Sequence, residues 1–405
     1  MRPLSPDRAG HGGHTKVFQQ EEVGSGMAEP RKRTLAVFSA ASFLNDLGSD
    51  MIYPLWPVFV TSVLGANMLV LGLLDGLGEA IVSLSHAASG YLSDRWQRRK
   101  PFIWAGYSCA ALARVGYALS STWQHLVPFR ALDRAGKMRG APRDAMVADL
   151  STRENRGQSF GVLRTMDNLG AVAGVLASVA LLGMLGYRKL FLLAAVPSMV
   201  GALLVFLLIR ERRPEGGIFK GMSLSQVSRS LRLFLLLSAV FALGSFSYSF
   251  LLVHAHQQGY RDQALPLFYL LWTAAAALFS FPFGKLADRI GRKPVLALTY
   301  ALWAGVSALL AFSAGIWTLL LAFAAYGAHK AGLDTVQTAF VAELAPTEYR
   351  ASVLGAFRLV LGLCALPSSI IAGMLWESLS AKAPFLLAIA LSAVSLALLP
   401  FVKER

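Results

Sequence analysis

Apolar and polar positions segregate along this chain in blocks long enough to cross a bilayer. Apolar windows near 34–62, 68–91, 101–120, 123–147, 158–184, 187–209, 231–256, 265–286, 294–313, 315–341, 351–377 and 383–402 are separated by short polar breaks. About twenty apolar residues span the hydrocarbon core as one helix. The pattern therefore predicts an all-α membrane protein with twelve transmembrane helices. Two polar breaks are longer than the rest. Residues 1–32 are polar and rich in glycine and charge, with no apolar core, and are expected to form a disordered cytoplasmic tail and not a secretory signal. Residues 210–230 read as a cytoplasmic linker between six-helix bundles at 33–209 and 231–405. Met27, directly before AEPRKR and the first span, is a candidate start, and His11 and His14 ahead of it read as tail residues, not as a metal site.

The two bundles are copies. GYLSDRWQRRKP at 90–101 returns as GKLADRIGRKP at 284–294, and a step of 194 positions carries Gly90 to Gly284, Asp94 to Asp288, Arg95 to Arg289 and Arg98 to Arg292. The same step pairs VADLSTRENRGQSFGVLR, from Val147, with VAELAPTEYRASVLGAFR, from Val341, and so Asp149 with Glu343 and Arg164 with Arg358. Duplicated hydrophobic bodies are a common plan of secondary transporters, with the substrate between the halves near the membrane midplane.

Composition agrees with a membrane body. Hydrophobic residues are 55% of the 405 and charged ones 15%, against about a quarter charged in soluble proteins. A net charge of +15 would suit nucleic acid if the bases formed one soluble face. Instead Arg31 to Arg33, Arg95 to Lys100, Arg153, Arg156, Arg210 to Arg213, Arg289 to Lys293, Arg350, Lys403 and Arg405 fall in breaks of one parity. The opposite breaks hold only Arg188, Lys189, Arg261 and Lys382. The positive-inside rule then places both termini and the middle linker in the cytoplasm, with no nucleic-acid partner. Cys109 and Cys364 stand alone inside apolar windows, so neither a disulfide nor a metal motif is indicated.

The repeated phrase resembles the loop between spans two and three of the major facilitator superfamily, G-x-L-[SA]-D-R-x-G-R-[RK], and the resemblance covers roughly 33–402. It implies the major facilitator fold, with twelve transmembrane helices in two pseudo-symmetric six-helix bundles. It also implies gate latches: Gly90, Asp94, Arg95 and Arg98 with Asp149 in the first half, and Gly284, Asp288, Arg289 and Arg292 with Glu343 in the second. Gln97 stands where the family has glycine, which the second copy keeps as Gly291. In LNDLGSDMIYPLWP the stretch from Leu47 to Pro57 is similar to the L-G-x5-P-x-x-P of the twelve-span drug:proton antiporters, and a proline break at this depth is expected to line the pathway. Arg130, Asp133 and Gly136 partly match the family's proton-linked arginine motif, although Arg134 replaces its first glycine. Gly161, Gly170 and Gly174 keep the spacing of its antiporter motif, with Val175 in place of proline; small residues there equally serve close helix packing.

Ionisable side chains inside a bilayer are costly and mark functional sites. Asp46 and Asp50 lie four apart on one helix face, as do Asp75 and Glu79. Neighbouring buried carboxyls oppose joint ionisation, which suits a proton carrier; permanent pairing with Arg114, Arg130 or Arg134 is the competing reading. The expected proton-coupling set is Asp46, Asp50, Glu79, Arg130, Asp133 and Asp167, with Asp75 ranked below it as a residue near a helix end. Asn45, Tyr53, Tyr248, Tyr269 and Trp272 are the expected substrate-cavity residues, giving an acidic first half that faces an aromatic second half. His254 and His256 read as rim residues.

The reading is a multi-pass transporter of the cell inner membrane that moves a small molecule by alternating access, in the sense of proton-coupled efflux of a lipophilic or cationic compound. An importer or uniporter of a metabolite or sugar and a non-transporting membrane sensor of the same fold are the alternatives. No nucleotide loop, metal spacing or nucleophile motif points to an enzyme. The expected partners are a small-molecule substrate, protons and the lipid bilayer, with no cofactor and no metal, and the protein is expected to act as a monomer.

Overall fold

The computed structural model describes residues 15–150, 156–211, 228–345 and 350–402; of residues 15–31, 94, 156–158 and 350–352 it describes the backbone alone. The regular elements of the described residues are all helices, with no strand among them. The first half comprises α1 (Thr15–Asp50), α2 (Trp56–Val58), α3 (Met68–Arg95), α4 (Lys100–Leu119), α5 (Trp123–Ala135), α6 (Gly140–Asp149) and α7 (Arg156–Leu208). The second comprises α8 (Arg229–Leu243), α9 (Ser249–Gln257), α10 (Leu265–Ile290), α11 (Arg292–Phe312), α12 (Ile316–Leu344), α13 (Arg350–Ser378) and α14 (Ala383–Leu398). These elements make twelve spans, six in each half. α1 and α2 are parts of one span, α5 and α6 of another, α8 and α9 of a third, while α7 turns back at Gly186 (φ 67°) and supplies two. Six of the described helices, α7 among them, are apolar and long enough to cross a bilayer by length and composition. Met184, Leu207, Phe281 and Trp317 stand exposed on the outer surface, as a lipid-facing belt requires.

The spans alternate in direction, so the molecule has two ends. One carries the repeated charged loops and is called here the charged end; the other carries Gly65, Gly186 and the α13–α14 turn and is called the far end.

Three local features depart from twelve plain spans. α1 begins at Thr15, inside the stretch expected to be a disordered tail; residues 1–14 lie outside the described residues, as do 212–227 of the expected linker. Adding residues to a helix already nucleated costs far less than starting one. The proline segment of span one forms a turn at 51–55, then α2, then a π-helical turn at Phe59–Val63. Span seven, expected to be continuous over 231–256, is unwound between Leu243 and Ser249, where Gly244, Ser245 and Ser247 compete poorly for helix. The Gly244 carbonyl freed by this break accepts from Trp303 Nε1 at 2.9 Å, which answers its need for a partner.

Packing fixes the halves internally. Gly170 and Gly174 of α7 sit against the Phe43 and Leu47 carbonyls of α1, where any side chain would collide, so these glycines serve close approach. Gly161 has open space and no such duty. In the second half Phe241 stacks on Tyr300 at 4.2 Å and Trp303 on His329 at 5.5 Å. Between the halves, α3 lies along α13: a Cβ on Gly76 would fall 2.7 Å from Leu366 Cα, and one on Gly72 would overlap the Ser369 carbonyl.

Candidate functional site

A cavity of about 520 Å³ lies between the halves, within the range of drug-sized sites. The first half contributes Tyr53, Asp75, Glu79, Ser83, Arg130 and Arg134. The second presents an aromatic wall that includes Tyr248, Tyr269, Trp272 and Tyr326, together with Lys330, Asp334 and Arg358.

Asp75 is the hub of its floor. This buried carboxylate accepts from Arg130 Nη2 at 2.6 Å, from Trp56 Nε1 at 2.9 Å and from Ser247 Oγ at 2.7 Å. Arg130 lies over the Trp56 ring at 4.2 Å. The third donor comes from the other half, supplied by the unwound segment of span seven. Asp75, ranked low in the sequence as a residue near a helix end, is therefore the best-ligated acid of the site, because its partners come from three other spans.

Two further hydrogen bonds cross the same boundary. Tyr269 OH donates to Asp50 Oδ1 at 3.0 Å, and Tyr248 OH donates to the Tyr53 carbonyl at 3.2 Å. Asp50 differs from Asp75 in kind: among the described residues no cation lies within ion-pair distance of it. At the far end Glu377 of α13 accepts from the Met68 N–H at 2.6 Å, so a second-half carboxylate caps the start of α3. The far end is thus closed by cross-half hydrogen bonds. On the other side the cavity walls bear half-exposed or exposed charges, Glu79, Asp334 and Arg358, and it opens towards the charged end.

The remaining expected residues divide. Glu79 reaches into the cavity with its side chain 55% exposed and stands 3.8 Å from Arg134. Arg134 is buried, lies over the Tyr53 ring at 4.9 Å and is 3.6 Å from Asp133, which is buried behind the wall and not in it. Asp46 pairs with the Asn45 amide at 2.9 Å. Asn45 itself does not line the cavity: its Oδ1 and main-chain carbonyl accept from buried Arg114, which also donates to Ser49 Oγ at 2.7 Å. Asp167 likewise lies elsewhere, in a network with Arg143 (3.6 Å) and Arg164 (3.2 Å) that includes Asp144. Tyr53, Tyr248, Tyr269 and Trp272 all line the cavity as expected. His256 pairs with Asp262 at 3.1 Å at the far rim, and His254 packs against Trp376 and Phe385.

The two charged loops are alike but not identical. In the second half Arg292 donates to Asp288 at 2.6 Å and to Glu343 at 2.8 Å, as the resemblance implies, and Gly284 packs near Thr335 while Arg289 is exposed. In the first half the partner of Asp149 is Arg99, not Arg98. Arg99 is buried and its N–H donates to Glu211 at 2.9 Å, whereas Arg98 is exposed and Arg95 donates to Tyr91 OH at 3.3 Å. The reason is one extra residue: counted back from the proline that opens the next helix, Arg99 before Pro101 holds the place of Arg292 before Pro294. Gln97 keeps the left-handed turn of its counterpart Gly291, φ 55° against 93°, so the extra residue falls after that turn, between Gln97 and Arg99. Gly90 faces Ala141 at 3.6 Å, and the Asp94 side chain lies outside the described residues.

Comparison with known proteins agrees with this architecture. A family profile described as Major Facilitator Superfamily matches residues 38–276 and 233–405. An uncharacterised MFS-type transporter of Methanocaldococcus jannaschii is 36% identical over 371 residues, 89% of this chain and 92% of that protein. The multidrug resistance protein MdtG of Salmonella paratyphi C is 27% identical over 328 residues, 76% of this chain and 80% of that protein. Among solved structures, a mutant of the nucleoside transporter NupG superimposes with a TM-score of 0.77 at 16% identity, covering 92% of this chain and all of the other.

Proposed function

The chain belongs to the major facilitator superfamily and is a multi-pass membrane transporter, not an enzyme; from this premise we propose that it exports a lipophilic or cationic compound in exchange for protons, with Asp50 as the coupling carboxyl. The positive-inside rule supports a cytoplasmic charged end with both termini on that side, and the reading takes the membrane to be the cell inner membrane. The structure then corresponds to a carrier closed outside and open to the cytoplasm.

The observation that carries the reading is the pair of cross-half bonds to buried acids. Asp75 is locked by the Arg130 cation. Asp50 is held only by a neutral hydroxyl from the opposite half. A hydrogen bond to a charged acceptor is about twice as strong as a neutral one. Ionised Asp50 therefore grips Tyr269 and keeps the far end of the empty carrier shut; substrate against the Tyr269 wall loosens that grip for the outward step, and a proton taken up by Asp50 from the far side accompanies the return. An empty, ionised carrier waits inward-open for substrate, which prevents a futile leak. Asp46 and Glu79 lie in the same half as Asp50 and complete the set of acids, while Arg130 holds Asp75. Latches at Arg99–Asp149 and at Arg292 with Asp288 and Glu343 stiffen the cytoplasmic ends of the two halves as they rock.

The likeness to a multidrug resistance protein supports efflux, and the aromatic wall supports a lipophilic cargo. The test uses everted membrane vesicles energised by respiration and a pH-sensitive acridine dye, challenged with a panel of aromatic amines, some of which also carry a carboxylate. Wild-type vesicles should release protons when a substrate is added, and Asp50→Asn vesicles, with equal protein inserted, should not. Full substrate-driven proton release by Asp50→Asn would overturn the assignment.

A further inference from the structure

We infer that the compound taken by this cavity carries both an amine and an acidic group on a flat apolar body; the inference rests on the transport reading above and narrows its substrate class. The charges in the cavity are of two kinds. Asp75 and Arg130 satisfy each other at 2.6 Å and leave little capacity for a ligand. Glu79 and Arg134, at 3.8 Å, and Lys330 and Asp334, at 3.9 Å, stand beyond hydrogen-bond distance of each other. Their carboxylates are 55% and 72% exposed, in space that opens to water. Each loose pair has kept its hydrogen-bonding capacity for something else.

The two loose pairs sit on opposite walls, Glu79 and Arg134 on α3 and α5, Lys330 and Asp334 on α12. Exposed Arg358 of α13 adds a cation at the mouth. A purely cationic guest would find Glu79 and Asp334 but would also face Arg134, Lys330 and Arg358. A purely anionic guest meets the converse problem with the two acids. A molecule carrying both signs compensates each wall, and like-charge juxtaposition, which costs several kcal/mol in a confined site, is avoided.

Between the walls lies the aromatic shelf. Trp272 packs against Tyr326 at 5.4 Å and Tyr248 at 6.1 Å, which gives a flat guest a face to stack on.

The test is equilibrium binding to the purified full chain in detergent, without any gradient, using three dansyl probes. Nε-dansyl-lysine carries an amine and a carboxylate, dansylcadaverine only the amine, and dansyl-6-aminohexanoic acid only the carboxylate. Wild-type protein should bind Nε-dansyl-lysine at least tenfold more tightly than either single-charge probe. Glu79→Gln should erase its advantage over the acid-only probe, and Lys330→Gln its advantage over the amine-only probe. Comparing probes within one variant removes any difference in folded fraction. Equal affinity of a single-charge probe in the wild type, ratios unmoved by the substitutions, or saturable binding of none of the three would each overturn the inference. Because no proton gradient enters, a failed probe pattern leaves the vesicle test of coupling standing, and a failed coupling test leaves this one.

Discussion

Replacing Tyr269 with phenylalanine removes one hydroxyl and nothing else from the floor of the cavity. In the wild type that hydroxyl is buried, crosses between the halves and donates to Asp50 at 3.0 Å. A hydrogen bond to a charged group contributes about 1.5–3 kcal/mol. At about 1.4 kcal/mol per tenfold change, the closed far end should lose roughly ten- to hundredfold in its equilibrium against the open one. The rest of the far-end closure, Ser247 to Asp75, Tyr248 to Tyr53 and the Met68 N–H to Glu377, is untouched. Spin labels on Cys introduced at exposed Ser121 and Ser313, with Cys109 and Cys364 first replaced, report the far-end separation in nanodiscs. At neutral pH Tyr269→Phe should shift the distance distribution towards the longer population. The shift should shrink in the Asp50→Asn background, where only a neutral bond of about 0.5–1.5 kcal/mol is at stake. It should also shrink as acid protonates Asp50 in the otherwise wild-type chain. An effect of Tyr269→Phe that has the same size in the wild-type and Asp50→Asn backgrounds, and stays flat across pH, would refute the latch.

Three further outcomes follow from the geometry. Gly76→Ala sets a Cβ within 3.0 Å of the Leu366 and Ala365 backbone; overpacking of this kind costs about 1–3 kcal/mol, so α13 should withdraw from α3 and the same spin labels should report a more open far end. Arg130→Met leaves Asp75 buried with two neutral donors and should cost about 3–5 kcal/mol, seen as a lowered melting temperature in detergent, with much of the loss recovered by adding Asp75→Asn. Arg99→Gln breaks the half-exposed pair with Asp149 and should lower thermal stability by about 1 kcal/mol, whereas Arg98→Gln at the exposed neighbour should stay within about 0.5 kcal/mol; equal losses would return the latch to Arg98.

The twelve spans and the duplication were legible because both are one-dimensional: apolar length and a fixed offset need no knowledge of contacts. The pairing in the charged loops was nearly legible, and differed at Arg98 for a countable reason, the extra residue between Asp94 and Pro101. Alignment from the acid and alignment from the proline disagree by one position there, and the fold shows that the turn at Gln97 keeps the first while Arg99 keeps the second. The acids of the site were harder. Asp75 and Glu79 share a helix face, yet one is sealed and the other open, because depth along the span decides which meets Trp56, Arg130 and Ser247. Ser247 itself carried a weak signal, the Gly244-Ser245-Phe246-Ser247 run inside an apolar window, which marks a break in span seven. Asn45 and Asp167 misled because a polar residue in a membrane helix satisfies either a cavity or a neighbouring helix, and sequence does not say which face turns inward.

The most direct measurement of the central claim is proton-coupled flux in liposomes containing only the purified protein, loaded with a compound found active in the vesicle screen and a pH dye. With wild type, an imposed inward proton gradient should drive the compound out against its own gradient. With Asp50→Asn, compound exchange at equal pH should persist while the response to the proton gradient vanishes. A proton gradient that drives Asp50→Asn as well as the wild type, or that drives neither while exchange proceeds in both, would contradict the account.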